Sequence, residues 1–516
     1  MGEPAKTFEI VSTNEESSKN LKEDILDTHT EELMIGLCGP IGTDIHLVSK
    51  ELKKILEEQF NYECHIIKLS DLIIKHTGKP AASDEYSRIK ALISGGNSLR
   101  EQYTNDILAE LSINEIAVLR EEKQQERERT GNKNDDYKSL RMCFIIDSFK
   151  NTEELNLFRL IYRELFYSIG VFSPFSVRKQ NLISRGLTEQ DVVALISQDS
   201  GEEQNFGQKV TDTFINCDFF LRFENSSPNV IEVKIKRYLH LIFNSDVITP
   251  TAHETAMYIA ASSAGNSACL SRQVGAAITD SRGEILGIGW NDVPKAGGSV
   301  YQPVEGELLG QNDHRCLNLS GGRCFNDYEK NIIAETLIDE MINAELVNKE
   351  NRGSLIELVK KKSKIKDLIE FSRAVHAEML AIILASQKAG DRVVNGKLFC
   401  TTYPCHNCAR HIIAAGIREV YYIEPYRKSL AIKLHGDSIT EEESKNQLVR
   451  ILMFEGVAPS RYLDLFKMIP NSRKKNGSKI NTSTKTTKPK NTLSLQAIPI
   501  LEKKVTQSLH SKNLIQ

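Results

Sequence analysis

Val375-His376-Ala377-Glu378-Met379, followed by Pro404-Cys405-His406-Asn407-Cys408, decides how this chain is read. One imidazole and two thiolates make a zinc-type set of three ligands, which leaves a fourth position for water. Zinc in such a site brings the pKa of its water down toward neutrality. Glu378 lies outside the ligand set; a carboxylate two residues after the histidine is placed to carry a proton. A purely structural clip would take a fourth protein ligand, with His406 the nearest candidate, and would have no use for Glu378.

The surrounding pattern places these groups. Residues 375–383 predict a helix, with His376 and Glu378 in its first turn. Residues 397–402 predict a strand that Pro404 stops. Cys405 and Cys408 then open a second helix that ends before Gly416. Thiolates at a helix start are favoured by its positive end, and the i, i+3 spacing puts both sulfurs on one face.

A length of 516 residues allows two or three domains. No apolar run is long enough for a membrane span, and Met1-Gly2-Glu3-Pro4 does not begin a secretory signal. Ten scattered cysteines suit reduced thiols in a cytoplasmic protein. The net charge is −3, yet residues 471–516 hold ten Lys or Arg against one acid, Glu502. This polar, basic tail is expected to be disordered, serving either as a solvated extension or as a hold on RNA.

The expected division is a flexible segment 1–30, an α/β domain 31–228, a second domain 247–470 with an insertion at about 296–370, and the tail. In the first domain an apolar strand near 33–35 runs into Gly36-Leu37-Cys38-Gly39-Pro40-Ile41-Gly42-Thr43-Asp44 and then a helix. That order suits backbone amides cradling phosphate. A second strand, 142–146, ends at Asp147, where an acid could hold a nucleotide-bound magnesium. Arg178, Lys179 and Arg185 fall where a lid would contact phosphates. Residues 121–136 read as an exposed charged loop, and 153–169 as mainly helical.

This half resembles the P-loop nucleotide kinases, with one departure. Gly42 is followed by Thr43 and Asp44 where the motif carries a lysine, and no lysine occurs between Gly36 and His46. Nucleotide sensing at Gly36, Gly39, Gly42, Thr43, Asp44 and Asp147, or a structural role, is therefore expected in place of phosphoryl transfer.

The second half resembles the deoxycytidylate deaminases. The residues that carry this are 271–278 (Ser-Arg-Gln-Val-Gly-Ala-Ala-Ile), 287–291 (Gly-Ile-Gly-Trp-Asn), the His376/Glu378 pair and the Pro404-Cys405-x-x-Cys408 motif. The resemblance implies a five-stranded mixed sheet between helices. It implies Zn2+ on His376, Cys405 and Cys408, Glu378 as the catalytic acid/base, and substrate contacts from Asn291 and Tyr422, with Tyr426 nearby. Members can hold a second zinc, for which His314, Cys316 and Cys324 are the candidates here. A homo-oligomer, such as a hexamer, is also implied.

A degenerate P-loop half joined to such a domain is similar to the bacterial anti-phage deoxycytidylate deaminases. Their likeness implies conversion of free dCTP and dCMP to dUTP and dUMP, and control by an inhibitory RNA antitoxin. The alternative is a housekeeping salvage dCMP deaminase with a fused nucleotide-sensing domain. A polynucleotide editor is disfavoured, because the core lacks basic residues interleaved with aromatics. A non-catalytic RNA-binding module would leave Glu378 without a purpose.

Overall fold

The computed structural model describes residues 28–78, 84–129, 140–199, 208–224, 228–303, 313–319, 321–426, 429–494 and 497–515. The expectation for residues 1–27 falls outside them. Leu33–Cys38 is wholly buried and forms β1, near the middle of a six-stranded sheet. A continuous apolar run of this kind suits a strand covered on both faces. With β2 (Glu63–Lys68), β3 (Met142–Phe149), β4 (Phe166–Phe172) and β5 (Phe219–Arg222) it makes a parallel array in the order β2-β3-β1-β4-β5.

Helices α1 (Ile45–Phe60), α2 (Glu85–Gln102), α3 (Ile107–Arg129), α4 (Thr152–Tyr162), α5 (Phe175–Ser184) and α6 (Glu189–Asp199) belong to this half. Two expectations are corrected here. The stretch read as helical through Ile169 contains β4, a fully interior strand. The charged run from Glu121 stays helical through Arg129, as the solvated face of α3; residues 130–139 lie outside the described residues.

The second half opens with α7 (Ala252–Ala264). Its sheet contains β6 (Gly275–Thr279), β7 (Ile285–Trp290), β8 (Lys397–Thr402), β9 (Glu419–Glu424), β10 (Ile439–Thr440) and β11 (Val449–Met453). Their order is β10-β11-β9-β8-β6-β7, antiparallel only where β6 meets β7 and β8. Two-residue β10 makes the sheet six-stranded, one more than expected. Between β7 and β8 come α8 (Phe325–Asn343) and α9 (Arg352–Lys362), followed by α10 (Ala377–Ala389). After β8 comes α11 (His406–Ala414).

Small residues let α10 lie directly on the sheet. A Cβ on Gly289 of β7 would stand 2.3 Å from the Ala377 carbonyl and 2.5 Å from the Ala381 amide. A Cβ on Gly287 would meet Ala385 at 2.8 Å. This close approach fixes the helix that begins at the expected catalytic residues.

The halves are stitched by β12 (Gly456–Val457), which follows β11 and pairs antiparallel with β5 of the first sheet. Buried Glu254 organises the seam. It closes the capping box of α7 with Thr251, accepts the Val457 amide at 2.9 Å and grips Arg237 at 2.7 Å.

The tail is not disordered as expected. Among its described residues, α12 (Ile498–Ser511) packs on α3 and buries Ile498, Val505 and Leu509. Those positions recur with helical spacing on one face, an amphipathic pattern that the overall composition conceals. Glu502, on the same face, meets Arg120 and accepts the Tyr162 hydroxyl at 2.7 Å. Arg120 also holds Glu32 at 2.6 Å, so the tail joins a buried charge network in the first half. No helix among the described residues is long and apolar enough to cross a membrane.

Candidate active site

Two of the three expected ligands sit just outside helix starts, and the third lies in a first turn. His376 is the N-cap of α10 and Cys405 the N-cap of α11, both in extended conformation. The Cys408 amide, one turn into α11, donates to Cys405 Sγ at 3.4 Å. His376 Nδ1 lies 3.3 Å from Cys405 Sγ and 3.3 Å from Cys408 Sγ. A tetrahedral zinc with ordinary Zn–N and Zn–S bonds sets its donors roughly 3.5 Å apart, so this donor set fits the ion. Among the described residues this is the one group of three that brings its ligand atoms within 4.8 Å.

The electrostatics prepare one thiolate for a metal and leave a proton on His376 to be displaced. The Cys405 thiol is pushed down to about 4, first by its hydrogen bond with Cys408 and then by His376. Burial opposes charge on His376, but the Cys405 hydrogen bond and the negative charges of Glu378 and Cys405 outweigh it and hold the imidazole up at about 9. Glu378 is buried in the first turn of α10, and desolvation raises its carboxyl above the ordinary range. A carboxyl raised in this way holds a proton more readily than an ordinary one, as a proton carrier must.

These groups face a cavity of about 580 Å³ whose lining includes His376, Glu378, Cys405, Asn291, Tyr403 and Tyr426. Asn291 is tied to the preceding loop. Its Oδ1 accepts the Val274 amide at 2.7 Å and its Nδ2 donates to the Arg272 carbonyl at 2.8 Å. Tyr422 is buried on β9 with its ring against Tyr403, centroids 4.8 Å apart, and is not part of the lining. Tyr403 is the aromatic that the sequence reading missed; its signal was its place between β8 and Pro404.

The expected second metal set does not assemble. Cys316 and Cys324 reach the cavity wall, but His314 packs its ring on Tyr301. Arg373 stands against Cys316 at 4.0 Å and donates to the His314 carbonyl at 3.2 Å, while Ser271 meets Cys324 at 3.4 Å.

In the first half, five of the six residues expected to bind nucleotide have structural roles of their own, and Thr43 is the exception. Gly36 lies inside β1, where a Cβ would stand 2.3 Å from the Phe149 ring. A Cβ on Gly39 would stand 2.4 Å from the Val171 carbonyl. Gly42 has φ +84°, which the turn into α1 requires. Thr43 Oγ1 is buried without a partner, and Asp44 pairs with Arg185 at 3.2 Å. Asp147 is satisfied by His46 at 2.6 Å and Ser49 at 3.1 Å, in place of a magnesium.

The loop itself holds one of the chain's own carboxylates. Asp199 accepts the Ile41 amide at 2.7 Å and pairs with Lys150 at 3.1 Å. Lys150 also donates to the Gly39 carbonyl at 2.8 Å. A lysine thus reaches the loop from the residue after β3, where it is paired with Asp199.

Residues 250–424 match the family model for the cytidine and deoxycytidylate deaminase zinc-binding region. The chain is 27% identical over 179 residues to the deoxycytidylate deaminase of Enterobacteria phage T2, covering 34% of this chain and 81% of the relative. The enzyme of that name from Enterobacteria phage T4 is also 27% identical over 179 residues, covering 34% of this chain and 79% of the relative. Among solved structures, the crystal structure of dCMP deaminase from the cyanophage S-TIM5 in complex with dCMP and dUMP is similar at 20% identity. It covers 40% of this chain and 99% of that one, with a TM-score of 0.23. The second half is thus similar to zinc-binding deaminase domains, and it brings together the three donors such a region uses. Within that class, both curated relatives named are deoxycytidylate deaminases.

Proposed function

We propose that this chain hydrolytically deaminates free deoxycytidine nucleotides, dCMP to dUMP and dCTP to dUTP, with release of ammonia. The observation that carries the reading is the buried Glu378 carboxyl beside the His376/Cys405/Cys408 donor set, at the wall of a nucleotide-sized cavity. Two relatives that bear the name deoxycytidylate deaminase support the choice of base and sugar.

Zinc, held by those three residues, supplies an acidified water. Glu378 takes a proton from the attacking water and passes it to N3 of the cytosine ring as oxygen adds to C4. It then takes the proton of the new C4 hydroxyl and delivers it to the C4 amino group, which leaves as ammonia as the C4 carbonyl of uracil forms. Its burial keeps bulk water from competing for that proton.

The joining of this domain to a half with a lysine-less, carboxylate-filled loop supports a further reading: the activity depletes deoxycytidine nucleotides as an antiviral defence. In that reading the first half regulates and does not itself transfer phosphate.

Chelation of the metal should abolish turnover, and zinc should restore it. In metal-free protein the His376 imidazole holds its proton below about pH 9, and burial keeps the Cys408 thiol protonated. Zinc must displace both. Its affinity should therefore fall by about tenfold or more for each pH unit below that point, with proton release seen calorimetrically in buffers of different ionisation enthalpy. A pH-independent affinity would contradict the donor set.

A further inference from the structure

We propose that the insertion before α10 reads the phosphate of the substrate through Lys330 and Arg373, and so confines the site to phosphorylated deoxycytidine. This rests on the deaminase reading of the metal-side wall and adds the element that separates nucleotides from nucleosides.

Both cations line the same cavity as His376 and Glu378; Lys330 comes from the insertion and Arg373 from the segment that joins it to α10. Each is held by neutral partners. Lys330 Nζ donates to the Lys366 carbonyl at 3.1 Å. Arg373 lies over the Phe325 ring at 5.4 Å and donates to the His314 carbonyl at 3.2 Å. Among the described residues neither has a carboxylate within 4 Å, so their charge is not already answered. Arg272, on the same cavity, differs in pairing with Glu424 at 3.5 Å.

A phosphate meeting an ammonium and a guanidinium makes short, charge-assisted bonds, and the planar guanidinium fork matches its oxygens. The cavity volume of about 580 Å³ falls in the range of sites for whole small ligands, roughly 300–1,000 Å³, and exceeds what a base alone requires. Asp327 and Asp367 share the wall, so it is not a continuous basic track of the kind that follows a polymer backbone. It suits a compact terminal phosphate. The long insertion then has a chemical purpose: it brings α8 and the segment before α10 over the catalytic floor.

The test uses the zinc-loaded full chain with Lys330→Ala, Arg373→Ala, the double variant and Lys330→Arg. Turnover is measured on dCMP, dCTP and deoxycytidine, and calorimetry follows binding of dUMP, dUTP and deoxyuridine. Each single alanine variant should lower kcat/KM on the nucleotides about tenfold, mainly through KM. The double should lower it about a hundredfold, and Lys330→Arg should recover most of the loss. Activity on deoxycytidine, zinc content and melting temperature should not change. Nucleotide binding should weaken in parallel with KM, while deoxyuridine binding stays constant. Equal losses on nucleoside and nucleotide, or unchanged nucleotide affinity in the double variant, would overturn the inference. If the wild type binds nucleotides in a Lys330- and Arg373-dependent way yet turns none over, the phosphate site stands and the deaminase reading falls.

Discussion

Glu378→Ala is expected to lower turnover by roughly a thousandfold or more while leaving zinc in place. The carboxylate is not needed to hold the ion, because His376, Cys405 and Cys408 already bring three donors together. It is needed to move two protons, one to the ring nitrogen and one to the departing amine. No other lining residue stands in that relation to the donor set at the start of α10. The variant should also fold at least as well as the wild type. Burial disfavours the charged Glu378 side chain, so its removal relieves a desolvation cost that only the chemistry requires. Metal analysis and a thermal melt alongside the rate measurement separate this outcome from simple unfolding. Full activity in the variant would refute the proton-transfer role.

Removal of residues 471–516 is expected to unfold or aggregate the first half. Ile498, Val505 and Leu509 of α12 are buried against it, and each such side chain stabilises by about 1.5–3 kcal/mol. The fully buried Tyr162 hydroxyl would lose its Glu502 acceptor, which costs about 1–3 kcal/mol more. The sum is of the order of the whole stability of an ordinary domain, about 5–15 kcal/mol. Glu502→Gln, which keeps the helix but removes the charge facing Arg120, should show an intermediate loss. A truncated chain that melts like the intact one would mean that the tail is the solvated extension its composition suggests.

The metal-binding residues were legible because chemistry fixes their types and their spacing. A three-donor zinc set needs His and Cys at helix starts, and the proton carrier must follow within a turn. Strand β4 was not legible, because Phe166-Tyr167-Ser168-Ile169-Gly170-Val171-Phe172 is buried on both faces and carries no alternation to tell strand from helix. The tail misled through composition, since ten basic residues hid one amphipathic face. The first-half loop misled for a different reason. The group that fills it, Asp199, is 158 residues from Ile41 in sequence, and no local motif announces such a contact. That His314, Cys316 and Cys324 do not come together among the described residues likewise turns on a spatial contact, the His314 ring on Tyr301.

The most direct test of the central claim is product formation by the purified zinc-loaded chain on dCMP, dCTP, CMP, cytidine and single-stranded DNA, with Glu378→Ala as control. The account predicts conversion of dCMP and dCTP to their uracil counterparts, with ammonia released in equal amount and none formed by the control. Activity confined to single-stranded DNA, or deoxynucleotide conversion that persists without Glu378, would contradict it.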